Sequence, residues 1–249
     1  MADPLASLFR LPDVAPALDR ARAAVDTALR HPGLRRHGGR IAAEVSLRSA
    51  VASAALEGDA VDVESVRAGI VAEPVVQGAL RVAEAVPALA DLWTRAPGQV
   101  LARLHVLAAR GVVPDEALGR PASPAAATRV LGLSPLVTDP GGVSPVLVAA
   151  VVHGELLGTF AGPGGVVARA AARLTLISGG LDPRGLIAVE VGHLAREPEY
   201  VGAAGAFATG TGDGVRAWLR HCTTAVELGA AELTAVADEV TAPQAPSAG

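Results

Sequence analysis

The chain has 249 residues, of which 51% are hydrophobic but only 2% are aromatic, so its core must be built from alanine, valine and leucine. The formal net charge of −4 gives no general electrostatic attraction to nucleic acid or to anionic lipid. A single cysteine, Cys222, excludes an intramolecular disulfide framework and a cysteine-based zinc site.

Helical periodicity of the apolar residues recurs along most of the chain and predicts an all-α fold of about eight to ten helices. The predicted helices cover residues 14–29, 40–56, 63–71, 75–93, 98–110, 144–157, 166–178, 184–196, 200–207 and 215–240. Asp13 and Asp62 are predicted to cap the first and third of these, Gly58 to end the second, and Pro87 to interrupt the fourth.

Residues 113–142 differ from the rest because they are rich in proline, serine, threonine and glycine. Their β-like run at residues 130–137 predicts a small β-hairpin that folds over a site. As domains, we predict an N-terminal helix and loop over residues 1–39 and a main helical domain over residues 40–240. Residues 241–249 have the composition of a disordered tail.

A glycine- and proline-rich turn at residues 158–165 joins two apolar helical runs near the middle of the chain. The free amides and the dipole at the start of the second helix would favour an anion there. The candidate anion- or nucleotide-binding residues are Gly162, Gly164, Gly165, Val166 and Arg169. The alternative is a helix corner that needs glycine only for its backbone angles.

Metal-binding and hydrolytic motifs are incomplete. Glu190 and His193 have the spacing found in di-iron helical bundles, but a second copy is absent from the sequence. His153 and Glu155 resemble half of a zinc-deaminase motif whose cysteine pair is missing. Because both metal motifs are incomplete, we predict no metal ligands. The sequence also lacks a nucleophile elbow, a P-loop and a strand before the glycine turn, so we predict neither a hydrolase nor a Rossmann fold. His105 is predicted to be a core histidine.

Two short patterns carry a family resemblance. Ser53, Glu57 and Gly58 match the inhibitory motif Ser/Thr-x-x-x-Glu-Gly/Asn at the end of a helix over residues 40–58. Arg169 follows the glycine turn as the last arginine of the motif HPFxDGNGRxxR would. The sequence therefore resembles the Fic (Fido) family over roughly residues 40–225. These proteins are helical nucleotidyltransferases that mostly move AMP onto target hydroxyls, and the resemblance implies an all-α, Fic-like domain with a small β-hairpin flap.

The core motif departs from the family pattern at most of its functional positions. Aligned on Arg169, the chain keeps Gly165 but places Gly158 at the catalytic histidine, Gly162 at the metal-binding aspartate, Gly164 at the asparagine and Val166 at the first arginine. Aligned instead on His153, it places Phe160 at the catalytic position. Because neither alignment supplies a histidine, we predict no catalytic residue in this motif.

The resemblance implies a catalytically degenerate Fic-domain protein that lacks AMP transfer and acts as a binding or regulatory module. The resemblance makes ATP a candidate ligand, whereas the loss of the metal-binding aspartate argues against bound Mg²⁺. One alternative is a nucleotidyl (AMP) transferase, or another enzyme of phosphorylated substrates, with His105 or His153 as a divergent base. Another is a purely structural helical protein.

The expected partner is an unidentified protein that adds a strand to residues 130–137. The alanine- and leucine-rich final helix could supply a homo-oligomer face, while nucleic acid and membranes are not expected partners. The first ten residues lack the features of a secretory signal, so we expect a cytoplasmic location.

Glu57 and Arg169 are both kept, and in the family these two residues pair to block productive nucleotide binding. We predict that the pair has become structural and clamps the N-terminal helix onto the core. The alternative is that both side chains are exposed to solvent and never meet.

Overall fold

In the computed structural model, which describes residues 5–242, the chain forms twelve α-helices and one 3-10 turn. The first six helices are α1 (Ala6–Phe9), α2 (Val14–Ala28), α3 (Gly33–Ala55), α4 (Val63–Arg67), α5 (Pro74–Trp93) and α6 (Pro97–Ala109). The other six are α7 (Pro124–Thr138), α8 (Pro145–Leu156), α9 (Gly164–Ser178), α10 (Val189–Leu194), α11 (Glu197–Ala208) and α12 (Gly212–Thr241). Within this part of the chain, β-structure is limited to two isolated bridges, Arg110–Val113 and Pro121–Phe160.

The α8–α9 pair forms the centre of the molecule, and nearly all residues of both helices are buried. Helix α9 packs on α3, α5 and α6, whereas α8 packs on α7 and α12. The long helix α12 also contacts α2, α3, α10 and α11, so it joins the two terminal parts of the bundle.

Small residues let these helices approach closely, as a core with few aromatic side chains requires. A side chain at Gly78 of α5 would overlap the carbonyl oxygen of Ala108 in α6, and Gly192 of α10 meets Ala225 of α12 in the same way. Dispersion contacts between backbones therefore replace contacts between large side chains.

Several predicted helix ends are confirmed. The side chain of Asp62 caps α4 by accepting a hydrogen bond from the Ser65 amide at 3.1 Å. Gly58 follows the end of α3 with a left-handed φ of 97°, which glycine adopts without strain.

Other helix predictions are wrong. Asp13 precedes α2 in a left-handed conformation, with a φ of 64°, and its side chain makes no cap bond. The helix predicted from residue 40 is preceded by a helical turn that begins at Gly33, and a kink at the non-helical His37 separates this turn from the rest of α3. Helix α5 continues through Pro87, and the helix predicted over residues 184–196 is reduced to α10.

The predicted hairpin is also wrong, because residues 130–137 lie inside α7. Ser123 caps this helix by accepting from the Ala126 amide at 3.1 Å, and Pro124 occupies its first position. Leu133 and Val137, four residues apart, are buried on one face, so helical periodicity outweighs the β-propensity of the valines. The described residues form twelve helices rather than the predicted eight to ten, because α7 and the short helix α1 were not predicted.

Of the tail predicted over residues 241–249, Thr241 is the last residue of α12, and residues 243–249 lie outside the described residues. Between residues 5 and 242, no helix is both long enough and apolar enough to cross a bilayer.

Candidate functional site

Arg169 lies in the second turn of α9 and is only 1% exposed. Its Nε–H donates to Ser53 Oγ at 2.9 Å, and its Nη2 donates to the Ser53 carbonyl oxygen at 2.8 Å. The same Nη2 donates to Glu57 Oε1 at 2.7 Å, and Nη1 donates to the Tyr200 hydroxyl at 3.3 Å. The predicted meeting of Arg169 with Glu57 is confirmed, and the alternative of two exposed side chains that never meet is wrong.

The Glu57 side chain is 17% exposed and lies against the first turn of α9. A methyl group at Gly165 would overlap Glu57 Oε1, so the approach of the carboxylate depends on glycine at this position. The partial positive charge of a helix N-terminus favours an anion here. Burial lowers the pKa of Arg169, but Tyr200 and Glu57 outweigh it and hold this pKa above its ordinary value.

The glycine turn uses part of its hydrogen-bonding capacity internally. The Gly164 amide donates to the Gly162 carbonyl oxygen at 2.7 Å, and the Val166 amide donates to the Pro163 carbonyl oxygen at 3.2 Å. Two of the four amides proposed from the sequence to bind an anion are therefore engaged within the turn itself.

The segment at residues 110–123, rather than the predicted residues 130–137, covers this turn. The Ala122 amide donates to the Thr159 carbonyl oxygen at 2.8 Å. A Cβ at Gly162 would lie 2.7 Å from Val113 Cγ1, so backbone and side chains are in close contact. The turn therefore lies beneath this segment.

Phe160 and His105 also fix the turn. The Phe160 side chain is buried with its ring centroid 4.9 Å from that of His105. His105 Nδ1 accepts from the Gly119 amide at 3.0 Å, so Nε2 carries the proton and donates to the Ala161 carbonyl oxygen at 3.0 Å. Burial lowers the pKa of His105. The prediction of a core histidine is confirmed.

Three histidines from three helices meet next to Arg169, and no motif or spacing in the sequence predicts this cluster. His153 Nε2 lies 3.1 Å from the Tyr200 hydroxyl, so Tyr200 connects His153 with Arg169. His193 Nδ1 lies 2.9 Å from His221 Nε2.

Burial holds the pKa of His153 and of His193 well below the ordinary histidine value, with smaller contributions in the same direction from Arg169 and the neighbouring imidazoles. Burial also lowers the pKa of His221 to about 4. These imidazoles are neutral at physiological pH and act as polar components of the core.

The larger cavities lie elsewhere, at the end of α9 opposite the glycine turn. One, of about 530 Å³, is bounded by residues of α2, α7, α8 and α9. The other, of about 650 Å³, lies between α5, the end of α9 and residues 183–184. Neither is lined by a residue of the glycine turn.

Across the described residues, no group of three or more His, Cys, Asp or Glu side chains is arranged to hold a metal ion. Glu190 and His193, which have di-iron spacing in sequence, are engaged separately. Glu190 faces Arg173 with 3.7 Å between Oε1 and Nη1, and His193 pairs with His221.

The comparisons with known proteins bear on the fold. No protein-family model matches the chain, and a search of curated proteins found no match. Among solved structures, the chain is similar to a Fic family protein from Desulfovibrio desulfuricans G20, with a TM-score of 0.70 and 21% sequence identity over 92% of this chain and 77% of that one. The chain therefore has a Fic fold, and the prediction of an all-α, Fic-like architecture is confirmed.

Proposed function

We propose that this Fic-fold protein does not transfer nucleotides and acts as a non-catalytic binding or regulatory module. The observation that carries this proposal is the position of Glu57, whose carboxylate binds Arg169 and lies against Gly165 at the start of α9. In this proposal, the anion expected at the glycine turn is supplied by the chain itself.

Mg²⁺–ATP does not fit the residues present at the turn. A bound phosphate would have to displace the Glu57 carboxylate and take its hydrogen bond from Arg169 Nη2. Gly162, at the position of the family's metal-binding aspartate, offers no carboxylate. Two like charges competing for one guanidinium repel each other, so the ion pair opposes phosphate binding.

A general base is also hard to assign. Gly158 and Phe160, the two residues that align with the catalytic histidine, do not titrate. Both ring nitrogens of His105 are hydrogen-bonded to backbone, and His153 is 1% exposed with its Nε2 at Tyr200. These contacts weigh against the alternative of a nucleotidyltransferase with a divergent base, because a base must reach the proton that it removes.

Helix α3, which ends two residues before Glu57, is held at a second point. Arg48 of α3 binds Glu44 within the same helix at 2.6 Å and reaches Glu232 of α12 at 2.8 Å. Its guanidinium also contacts Glu239. A network of charges stabilises a fold more than an isolated surface ion pair does, so these contacts support a permanent attachment of α3 to α12.

The expected protein partner remains part of the proposal, but its mode of binding changes. Residues 130–137 are helical, so a partner at this segment would contact the outer face of α7 rather than add a strand. Self-association through α12 also stays a prediction.

Calorimetric titration with ATP, with and without Mg²⁺, tests the proposal. We expect no micromolar binding to the wild type or to Glu57→Ala, because removing the carboxylate neither supplies a metal ligand at Gly162 nor frees the Gly164 and Val166 amides, which are bonded within the turn. Glu84→Ala changes an exposed glutamate of α5 and serves as the control. Circular dichroism establishes that each variant is folded. Micromolar binding by folded Glu57→Ala would overturn the proposal and indicate an inhibited nucleotide site.

A further inference from the structure

Three buried polar atoms from three helices face one small cavity. They are Ser49 Oγ of α3, Arg173 Nε of α9 and Glu190 Oε2 of α10, and all three residues line this cavity. None of the three residues is more than 5% exposed. Within residues 5–242, these atoms have no hydrogen-bond partner. Buried polar atoms are nearly always hydrogen-bonded, so the cluster requires a ligand.

The cavity repeats a contact made one helical turn away. Ser49 and Ser53 are four residues apart on α3, as Arg169 and Arg173 are on α9. Ser53 Oγ accepts directly from Arg169 Nε at 2.9 Å. Arg173 Nε makes no such bond to Ser49 Oγ, although both line the cavity. The second serine–arginine pair is therefore not joined by a direct hydrogen bond.

Arg173 is fixed in place by its other contact. Its Nη2 donates to the Gly185 carbonyl oxygen at 2.8 Å. Its Nη1 lies 3.7 Å from Glu190 Oε1, which is too far for a direct hydrogen bond. Arg173 and Glu190 therefore form an ion pair without a direct hydrogen bond, and this pair leaves Arg173 Nε and Glu190 Oε2 unpartnered.

We propose that one water molecule is bound in this cavity and bridges Ser49, Arg173 and Glu190. The cavity has a volume of about 10 Å³, close to the minimum that a single water needs. The water accepts from Arg173 Nε–H and donates its two hydrogens to Glu190 Oε2 and Ser49 Oγ. Three hydrogen bonds are the usual number for a buried water.

Other ligands fit this site less well. A cation would meet the Arg173 guanidinium and an anion would meet the Glu190 carboxylate, so a neutral ligand suits this site better than an ion of either sign. The bound water ties α3 to α9 and α10. This inference is independent of whether the protein transfers nucleotides, because it rests on the unpartnered atoms alone.

A high-resolution crystal structure of the wild type tests the site directly. We expect one density peak at about 2.7–3.2 Å from each of the three atoms. An empty cavity overturns the proposal, as does a direct bond from Arg173 Nε to Glu190 Oε2 or Ser49 Oγ.

A pair of serine variants gives a second readout. Ser49→Ala removes one of the three bonds to the water, and we expect its Tm to fall by about 2–4 °C. Ser46→Ala makes the same change on α3 at a residue that does not line the cavity, and it should shift Tm by less than about 1 °C. Equal shifts for the two variants would contradict the proposal. If Ser49→Ala fails to fold, the wild-type density alone decides.

Discussion

At one end of the α8–α9 pair, the glycine turn is packed beneath residues 110–123, and Glu57 lies at the first turn of α9. At the other end, where α8 begins and α9 finishes, cavities of about 530 and 650 Å³ open between the helices. The same two helices therefore support one closed end and one open end.

The difference shows where this chain has room for other molecules. The family resemblance draws attention to the glycine turn, yet there Arg169 makes four hydrogen bonds to neighbouring residues. Space for a small molecule lies at the opposite end, which carries none of the motif residues. A fold shared with an enzyme family thus does not locate the binding surface of this protein.

Arg169→Met gives the largest effect that we expect. The change keeps the approximate length of the side chain but removes the guanidinium. The Glu57 carboxylate, the Ser53 hydroxyl and the Tyr200 hydroxyl each lose their hydrogen bond to Arg169. We expect the free energy of unfolding, measured with urea, to fall by about 3–5 kcal/mol. Arg129→Met, on the exposed side of α7, should change it by less than about 0.5 kcal/mol. A loss below about 1 kcal/mol for Arg169→Met would mean that this network does not hold the closed end together.

The contact that defines the closed end was predictable from the sequence, because its residues belong to two short motifs. Ser53 and Glu57 lie at the end of one amphipathic helix, and Arg169 lies just after a glycine turn that starts another. The helical class was equally accessible, since apolar periodicity is a local property.

Other features depend on contacts between distant segments. Residues 130–137 have β-branched side chains but bury Leu133 and Val137 on a helical face, which only the packing of α7 decides. The histidine cluster joins α8, α10 and α12, so no spacing in the sequence could indicate it. The covering segment at residues 110–123 has no repeating pattern to identify it.

The histidine cluster makes the closed end sensitive to acid. His221 has a pKa of about 4 in the folded protein because of burial, with a smaller upward effect from Glu199 and a smaller downward effect from Arg196. Its ordinary value is about 6.5. Between these two pH values the unfolded chain binds a proton that the folded chain does not. Stability contributed by neutral His221 is therefore complete above pH 6.5 and is lost as the pH falls toward 4.

We expect the wild type to lose up to about 1.4 kcal/mol per pH unit through His221 in this range. His221→Gln removes the titrating group, so its unfolding free energy should fall less steeply between pH 7 and pH 5. Urea unfolding is measured at both pH values for each protein, and the difference between the two pH values is compared. A loss of packing in the variant that is the same at both pH values cancels in this difference. His37→Gln, at a partly exposed residue of α3, should retain the wild-type slope. Parallel slopes for the wild type and His221→Gln would show that His221 does not contribute to the acid sensitivity.

The smallest change in unfolding free energy is expected for a substitution at the open end. Thr175 lines the cavity of about 530 Å³, and its hydroxyl accepts from the buried Trp93 Nε1 at 3.1 Å. Thr175→Val keeps the shape but removes this acceptor. Trp93 Nε1 then loses this acceptor, and we expect the free energy of unfolding to fall by about 1 kcal/mol, the lower end of the range for a buried donor left unpaired. Thr223→Val, whose hydroxyl bonds only to the Arg220 carbonyl of its own helix, is the matched buried control. A loss as large as that of Arg169→Met would contradict the contrast, because it would mean that this end of α9 depends on its polar contacts as strongly as the closed end does.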